Sequence, residues 1–352
     1  MKIKNMLTSV IAGAALLAAV GNASAATTYS GGAATPAKPT ADINIYGASA
    51  QYTFWKTEGP LYLTAAGCTL GLSGATADNK HFIQQFSCDG GTTTLNFRVS
   101  SKASYDGPLA VDGNTTHPSR DTTCADPFQR PMIDPATCAG GVCAAPTAAS
   151  CVPVTIGASD VQVGDFKQKS SGTLLGPNGG AATSRDFKTN PFALSANTTA
   201  YCRPQAISFS FFVHNDVTTA ASTTISNLTS AEAKMIMSRK ILNWNDLQAQ
   251  AMNPASLPIQ LCFRHAGSGT HATLDSWMNP SVMPVSAVTG GTNKVYFNDG
   301  SADELKCVNG LPAPSTWTGS GAIGYADADQ SLASYPNIVR LTIDGVTPLG
   351  TN

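Results

Sequence analysis

The stretch Leu261–Met278, LCFRHAGSGTHATLDSWM, holds the pattern that decides the fold. An apolar run ends at Arg264, a short glycine-rich turn follows, and a helical pattern begins. The helical part places its large apolar residues three and four positions apart, on one face of a helix: Leu274, Trp277 and Met278. Strand, turn and helix in this order are the building unit of α/β proteins.

The turn in this stretch has the composition of an anion-binding site. Residues 267–270, GSGT, would present free backbone N–H groups and two hydroxyls at a helix N-terminus, where the helix dipole favours negative charge. Arg264 would add a planar, permanently charged fork that suits a tetrahedral oxyanion. The alternative is a plain strand-to-helix turn with Arg264 in a surface ion pair. His265 and His271, which flank the turn, are expected to be polar surface residues.

The N-terminal 25 residues have the form of a secretory signal peptide. Lys2 and Lys4 give a basic start, Met6–Val20 is apolar, and Ala23–Ala25 is a small-residue cleavage site. The absence of a cysteine at the cleavage point argues against a lipoprotein anchor. We therefore expect a periplasmic or extracellular protein that is not itself embedded in a membrane.

Charge and composition exclude some classes of partner. Charged residues make up 12% of the chain, well below the usual share of about a quarter. Without Lys2 and Lys4, 19 basic residues face 22 acidic ones, a net charge of −3. No basic cluster is present, so nucleic acid is not an expected partner. Residues 26–41, rich in Ala, Thr, Gly and Pro, are predicted to be a flexible leader.

The nine cysteines predict disulfides, because the signal peptide directs the chain to an oxidising compartment. Their spacing lacks the CxxC pairs with matching histidines that zinc sites use, and no metal or cofactor is expected. The odd number leaves at least one cysteine unpaired within the chain, and the connectivity stays open. Residues 112–153 hold four cysteines and six prolines with little periodicity, which predicts a disulfide-pinned insertion.

Further strand-and-turn units recur along the chain. Ile43–Tyr46 leads into GASA at 47–50, and Val154–Ile156 leads into GASD at 157–160. Alternating strands and helices predict an α/β fold with mainly parallel sheets, in which ligands bind beyond the carboxyl ends of strands. The candidate ligand loops are therefore 47–50, 157–160 and 266–270.

Several motifs, in sequence order, resemble the phosphate-binding proteins of ABC transporters. The segment 225–247 is similar to the family helix that ends in a K-I-x-N-W-N-D turn, and FRHAGSGTHATLDSWM at 263–278 is similar to its R-S-D-G-S-G-T-T segment. GASD at 157–160 and GAIGY at 321–325 match two further signatures, and GASAQYTFW at 47–55 matches the first ligand loop more loosely.

The resemblance implies a fold, a division into lobes and a partner. The implied fold is the two-lobed, type II periplasmic-binding-protein-like α/β fold, with mixed sheets and a ligand cleft between the lobes. Lobe one would comprise 42–206, with the insertion 112–153, together with 318–352. Lobe two would be 207–317. The permease of an ABC transporter is the implied protein partner.

The resemblance also implies a ligand set. Ala48, Ser49 and Ala50 would form the first oxyanion cradle, and Asp160 would accept a hydrogen bond from a protonated ligand oxygen, although Asp160 could instead simply cap a turn. From lobe two the donors would be four further residues: Arg264, Ser268, Gly269 and Thr270.

Two departures from the family pattern bear on the ligand. Ala266 replaces the acidic residue of the R-S-D-G-S-G-T-T segment, which removes a proton acceptor and weakens discrimination for phosphate. The serine-rich loop of lobe one is not matched cleanly, and its counterpart could be Ser100, Ser101 or Ser104.

The sequence thus predicts an exported solute-binding protein that captures phosphate or a related tetrahedral oxyanion for an ABC transporter. The alternative is a secreted interaction or structural protein on the same scaffold that has lost or changed its ligand. An enzyme is not expected, because Ser268 lies in Gly-Ser-Gly rather than G-x-S-x-G, and no histidine follows late in the chain to act as its base.

Overall fold

The computed structural model describes residues 40–171, 184–191, 193–194, 208–247, 256–278, 283–311 and 316–348. The predicted signal peptide, nearly all of the predicted leader, and Cys202 lie outside these residues. The α-helices of the described chain are α1 Tyr52–Ala65, α2 Asp106–Asp112, α3 Ser230–Met237, α4 Gly269–Met278 and α5 Ser301–Asn309. None of these helices has both the length and the apolar character needed to cross a bilayer.

The strands fall into two main sheets and three short pairs. Their bounds are β1 Thr40–Ala48, β2 Thr69–Thr76, β3 His81–Cys88, β4 Thr93–Lys102, β5 Gln129–Pro131, β6 Cys138–Ala139, β7 Val142–Cys143, β8 Cys151–Pro153, β9 Ile156–Ala158, β10 Lys169–Ser170, β11 Arg185–Asp186, β12 Phe209–His214, β13 Asn227–Leu228, β14 Gln260–Arg264, β15 Val295–Asn298, β16 Ala322–Asp327, β17 Ile338–Arg340 and β18 Thr342–Ile343.

The first sheet has the strand order β6-β7-β2-β3-β4-β1-β9. Strand β1, next to the edge strand β9, runs parallel to both neighbours, β4 and β9, and is buried from residue 43 onward. Burial of every residue is expected for a parallel strand that is covered on both faces. Helix α1 packs on one face, where Gly59 lies so close to the Phe97 ring that an added Cβ would be 2.2 Å from Cζ. A residue without a side chain is therefore required at this crossing.

The second sheet has the order β15-β14-β16-β12-β17. Strand β14 runs parallel to β15 and β16, and all residues of β14 and β16 are buried. Helix α3 begins with a capping box, in which Thr229 and Glu232 each hydrogen-bond to the other's backbone. Trp244 is a packing residue: its side chain is buried and its indole Nε1 donates to the Gly321 carbonyl at 2.9 Å.

The structure confirms the predicted two-lobed α/β fold class with mixed sheets. One part of the predicted lobe division does not agree with the strand pairing. Residues 318–352 were assigned to lobe one, but β16 and β17 are hydrogen-bonded to β12 and β14 in the second sheet. The reason is that β16 supplies an apolar strand to the middle of that sheet, where its burial is complete.

The Cys-rich insertion is pinned by disulfides, as its composition predicts. Its four cysteines pair among themselves, as Cys124–Cys151 and Cys138–Cys143. Two further bridges lie elsewhere in the described chain, Cys68–Cys88 and Cys262–Cys307. The insertion is also tied to lobe one by a buried ion pair. Arg130, which is 1% exposed, donates from Nε and Nη2 to the two oxygens of Asp106 at 3.0 and 2.8 Å.

Replacing Arg130 with methionine should leave the Asp106 carboxylate buried without its main partner. We expect the free energy of unfolding to fall by about 3–5 kcal/mol, as for other broken buried pairs, in equilibrium urea unfolding with the disulfides intact. Lys169→Met is the matched control, because the ammonium of Lys169 pairs with Asp186 on a side chain that is 42% exposed. Its loss should change stability by less than about 1 kcal/mol. Equal losses in the two variants would contradict a structural role for the buried pair.

Candidate ligand-binding site

Loops from both sheets meet at the carboxyl ends of their parallel strands. In the first sheet β1, β4 and β9 run parallel, so the loops after Ala48, Lys102 and Ala158 lie at the same edge. In the second sheet β14 ends at Arg264 and leads through a short turn into α4. This is the edge at which open α/β sheets bind ligands.

Direct hydrogen bonds join the two lobes at this edge. The Gly269 N–H donates to Ser104 Oγ at 3.0 Å, and Ser104 Oγ donates to Asp160 Oδ2 at 2.8 Å. Nearby, the Tyr105 N–H donates to the Gly267 carbonyl at 3.3 Å. The contact at Gly269 is close, since an added Cβ would lie 2.6 Å from Asp160 Cβ. The sequence left three serines open for lobe one, and the structure brings Ser104 to this contact.

Asp160 carries an unusual charge environment. Its Oδ1 is buried and has no hydrogen-bond partner among the described residues. Desolvation by burial, together with the negative field of Asp327, raises the pKa of Asp160 to about 7. The Ser104 hydrogen bond and the positive charge of Arg264 act in the opposite direction. Asp160 does not merely cap a turn, because it joins two lobes through Ser104.

Arg264 is 1% exposed, so it does not form the surface ion pair that the sequence left open. Its Nη1 donates to Ser301 Oγ at 2.8 Å and its Nη2 to the Asp299 carbonyl at 3.0 Å. The Tyr325 hydroxyl accepts from the Arg264 backbone N–H at 3.1 Å. The remaining donor, Nε, is buried without a partner in the described part of the chain.

The predicted turn residues are buried at the start of α4. Ser268 Oγ accepts from the His271 N–H at 3.4 Å, which is the geometry of an N-cap. The Thr270 side chain is buried, and its Oγ1 has no partner among the described residues. Gly269 is already engaged with Ser104, as described above. The turn therefore uses Ser268 and Gly269 in protein contacts and leaves the Thr270 hydroxyl unpaired.

The first predicted loop lies beside the Asp160 loop. Ala48 ends β1, and Ser49 and Ala50 begin a short 3-10 turn before α1 with no side-chain cap. Gln51 Nε2 donates to the Ser159 carbonyl at 2.7 Å, which connects this turn to Asp160's own loop. No described contact joins Ala48, Ser49 or Ala50 to the turn at the start of α4, so their role as ligand residues stays a prediction.

The expectation that His265 and His271 lie on the surface is wrong, because each is 1% exposed. His271 Nδ1 hydrogen-bonds to the Tyr325 hydroxyl at 2.6 Å, and His265 Nδ1 accepts from the Gly267 N–H at 3.0 Å. Burial lowers the pKa of His271 to about 3 and that of His265 well below its usual value, with the positive charge of Arg264 adding to both shifts. Both imidazoles are therefore neutral packing and hydrogen-bonding groups at pH 7.

Two buried acidic residues near Arg264, Asp327 and Glu304, were not predicted from the sequence. Asp327, at the end of β16, is 1% exposed and accepts at Oδ2 from Ser301 Oγ at 3.3 Å and Gln330 Nε2 at 3.1 Å. Glu304 in α5 is fully buried and accepts from the Tyr325 N–H at 2.8 Å. Burial raises the pKa of both carboxyls, against the field of Arg264. The available signal was the position of Asp327, at the carboxyl end of the strand that begins in the GAIGY motif.

Ala266, the predicted departure from the family pattern, lies in an apolar cluster. It packs with Tyr105, Phe166 and Phe187, and its N–H donates to Ser170 Oγ at 3.0 Å. A carboxylate at this position would be placed among aromatic rings and would lose hydration. The packing therefore explains how alanine is accommodated, and it removes one acceptor from the candidate site.

Two lobes whose strand ends meet across a polar contact have the architecture of a two-lobed binding protein. A family model described as a PBP superfamily domain matches residues 155–345, more than half of the chain. The protein therefore belongs to this superfamily, and the predicted resemblance is confirmed at that level. The match includes GASD, the Arg264 turn and GAIGY. No curated protein matches the chain.

Solved structures that resemble the chain do so at low identity. PstS from Borrelia burgdorferi is 14% identical, with a TM-score of 0.30, over 41% of this chain and 49% of that one. Two structures of a phosphate-binding protein from Stenotrophomonas maltophilia are 12% and 13% identical, with TM-scores of 0.35 and 0.33. Each covers 87% of this chain, while this chain spans 65% of that protein's length.

Replacing Asp160 with asparagine tests the electrostatics of the contact. The folded-state pKa of about 7 lies above the ordinary value of 3.8, so between these values the folded chain holds a proton that the unfolded chain releases. This group therefore makes stability fall as pH rises through that window. In urea unfolding we measure the difference in unfolding free energy, Asp160→Asn minus the unmodified chain. We expect this difference to increase from pH 5 to pH 8.

Asp186→Asn is the control for this measurement. Hydrogen bonding to the Thr189 backbone lowers the pKa of Asp186 to about 2, so this carboxyl is ionised in both states above pH 5. Its stability difference from the unmodified chain should stay level across the same window. A level difference for Asp160→Asn as well would show that Asp160 titrates normally.

Proposed function

We propose that this protein is an exported solute-binding protein whose ligand is phosphate or a related tetrahedral oxyanion. The observation that carries the proposal is a set of buried polar atoms on the loops that form the candidate site, which have no hydrogen-bond partner among the described residues. Arg264 Nε and Thr270 Oγ1 can donate, and Asp160 Oδ1 can accept. A buried polar atom without a partner costs roughly 1–3 kcal/mol, so three near one contact favour a polar ligand.

The chemistry of these atoms suits a partly protonated oxyanion. Arg264 supplies a permanent positive charge on a planar fork, and the start of α4 adds the positive end of a helix dipole. Asp160 can accept the proton of a ligand oxygen, or donate its own proton to one, because its pKa lies near neutral pH. Phosphate carries protons near neutral pH, whereas sulfate does not. The predicted ligand set of Ala48, Ser49, Ala50, Asp160, Arg264, Ser268, Gly269 and Thr270 is retained as a proposal, with Ser104 added.

Binding would require the two lobes to separate and close again. The hydrogen bonds from Gly269 to Ser104 and from Tyr105 to Gly267 cross the lobe contact, and a ligand entering between Asp160 and Arg264 would rearrange them. Closure of lobes about a ligand is a common hinge motion in two-lobed binding proteins. The closed form would present a surface built from both lobes to an ABC transporter permease, which we propose as the protein partner.

Export is supported by the disulfide content. Four bridges in the described chain are typical of a protein that matures in an oxidising compartment. Together with the signal-like N-terminus, this supports the periplasm or the cell exterior as the site of function.

The second candidate is a secreted interaction or structural protein that kept the scaffold and lost its ligand. Two observations favour it: Ala266 is packed among aromatic rings, and the lobes hydrogen-bond to each other directly at the candidate site. A catalytic role is not proposed. Ser268 Oγ caps α4, and the neighbouring histidine His271 is neutral and bonded to Tyr325, so the described residues pair no base with this serine.

Isothermal titration of the mature protein with phosphate, after ligand is stripped by partial unfolding and refolding, tests the proposal. Arg264→Ala should weaken phosphate binding by about 2–5 kcal/mol, the scale for losing one side of a buried charged contact. Arg264→Lys keeps the charge and lowers the risk of misfolding, and it should still bind more weakly because lysine lacks the Nε donor and the fixed orientation that Ser301 and Asp299 give the guanidinium.

Arg239→Lys is the control for these variants. Arg239 follows α3, and its Nη2 donates to the Asn293 carbonyl at 3.4 Å, with no described contact to the candidate site. This replacement should leave phosphate affinity unchanged. If the unmodified protein binds no oxyanion, the scaffold role replaces the transport role; if Arg264→Lys binds as tightly as the unmodified chain, Arg264 is not part of the site.

A further inference from the structure

A second buried carboxyl, that of Asp327, is linked to Arg264 of the candidate site. Ser301 Oγ joins the two groups, accepting from Arg264 Nη1 at 2.8 Å and donating to Asp327 Oδ2 at 3.3 Å. Gln330 Nε2 also donates to Oδ2, so this oxygen accepts two hydrogen bonds. The other oxygen, Oδ1, is buried without a partner among the described residues.

The charge of Asp327 also acts on Asp160 of the other lobe. The negative field of Asp327 is the largest influence on the pKa of Asp160 after burial itself, and Arg264 acts on both carboxyls. The three charged groups therefore share one electrostatic environment, with Arg264 and Asp327 on strands of the second sheet and Asp160 on the loop after β9. Among the described residues, each of them has one buried polar atom without a hydrogen-bond partner.

We propose that Asp327 is the second proton-accepting group of the ligand site, replacing the acceptor lost at Ala266, and that the preferred ligand is a tetrahedral oxyanion carrying two protons. This inference rests on the proposed oxyanion-binding function. It deepens that function by assigning a specificity-determining residue and a protonation state.

Charge balance supports the doubly protonated form. One cation, Arg264, faces the carboxyls of Asp160 and Asp327, with Glu304 behind them. A dianion placed among these carboxyls would meet net repulsion unless protons accompany it. A ligand with two protons carries a single negative charge and offers one donor to each acceptor, Asp160 Oδ1 and Asp327 Oδ1. The pH dependence of the affinity depends on the total number of protons in the complex and not on which oxygen holds each proton.

The groups that bear on the titration of Asp327 come from several elements. Arg264 lies on β14, Asp160 on the loop after β9, Glu304 on α5, and Asp329 on the turn after β16. The positive charge of Arg264 favours ionised carboxyls, whereas the negative charges of Asp160, Glu304 and Asp329 favour protonated ones. The balance between these two influences sets how many protons the empty site holds. The experiment therefore compares a change at Asp327 with a change at Asp344, an exposed residue after β18 whose charge is not among those that act on Asp327.

The experiment is titration calorimetry of the mature chain with inorganic phosphate and with sulfate, at pH 6 and pH 8, in two buffers of different ionisation enthalpy. At pH 8 most free phosphate carries one proton, so binding of the doubly protonated form should take up about one proton per phosphate. Phosphate affinity should fall between pH 6 and pH 8, and sulfate should bind far more weakly at both.

Asp327→Asn should remove most of the proton uptake at pH 8 and narrow the preference for phosphate over sulfate by at least ~10-fold, because an amide can donate to a bare oxygen. Asp327→Glu should restore the uptake, and Asp344→Asn should behave like the unmodified chain. Thermal melting confirms that each variant is folded.

The outcomes separate this inference from the function on which it rests. Unchanged proton uptake and unchanged preference in Asp327→Asn would overturn the role of Asp327 while leaving oxyanion binding intact. Preference of the unmodified chain for sulfate would overturn the protonated ligand and keep an anion site. Absence of binding to both anions would overturn the proposed function and this inference together.

Discussion

The contact of Gly269 with Ser104 and Asp160 is the constraint on which the arrangement of the candidate site depends. It brings the start of α4 in the second lobe against two loops of the first, and only a residue without a side chain allows that approach. The contact excludes water from Asp160, which accounts for the raised pKa of that carboxyl. It also places the positive end of α4 and the buried Arg264 on the same side of the junction.

Each lobe contains a buried arginine, but the two arginines differ in how completely their donors are hydrogen-bonded. In the first lobe Arg130 and Asp106 form a bidentate pair, and Arg130 Nη1 is bonded to backbone carbonyls, so the pair is fully satisfied and anchors the Cys-rich insertion. In the second lobe the Arg264 side chain donates to a hydroxyl and a carbonyl, and its Nε has no partner in the part of the chain that the structure describes. A satisfied pair is a structural feature, whereas unpaired atoms in a buried cluster are typical of a binding site.

At Ala266 this chain departs from the family pattern, which combines the Arg, Ser, Gly and Thr of the turn with an acidic residue. The turn keeps its Arg, Ser, Gly and Thr, but the acidic position has become part of an apolar cluster with Tyr105, Phe166 and Phe187. Acidic groups are present nearby on other elements, namely Asp327 and Glu304. Family membership therefore leaves the ligand to be argued from the site itself, since a fold hosts more than one specificity.

The sequence by itself determined the α/β class, the strand–turn–helix unit at Arg264, the capping box at Thr229 and the disulfide-pinned insertion. These features follow from local spacing, capping chemistry and cysteine count, which act over a few residues. The tertiary structure alone decided that β16 joins the second sheet, that His265 and His271 are buried, and that Ser104 rather than Ser100 or Ser101 meets Gly269. It also placed Asp327 beside Arg264 through Ser301. The physical reason is that burial, field and hydrogen-bond partners arise from residues that are far apart in the chain, and only packing brings their atoms together.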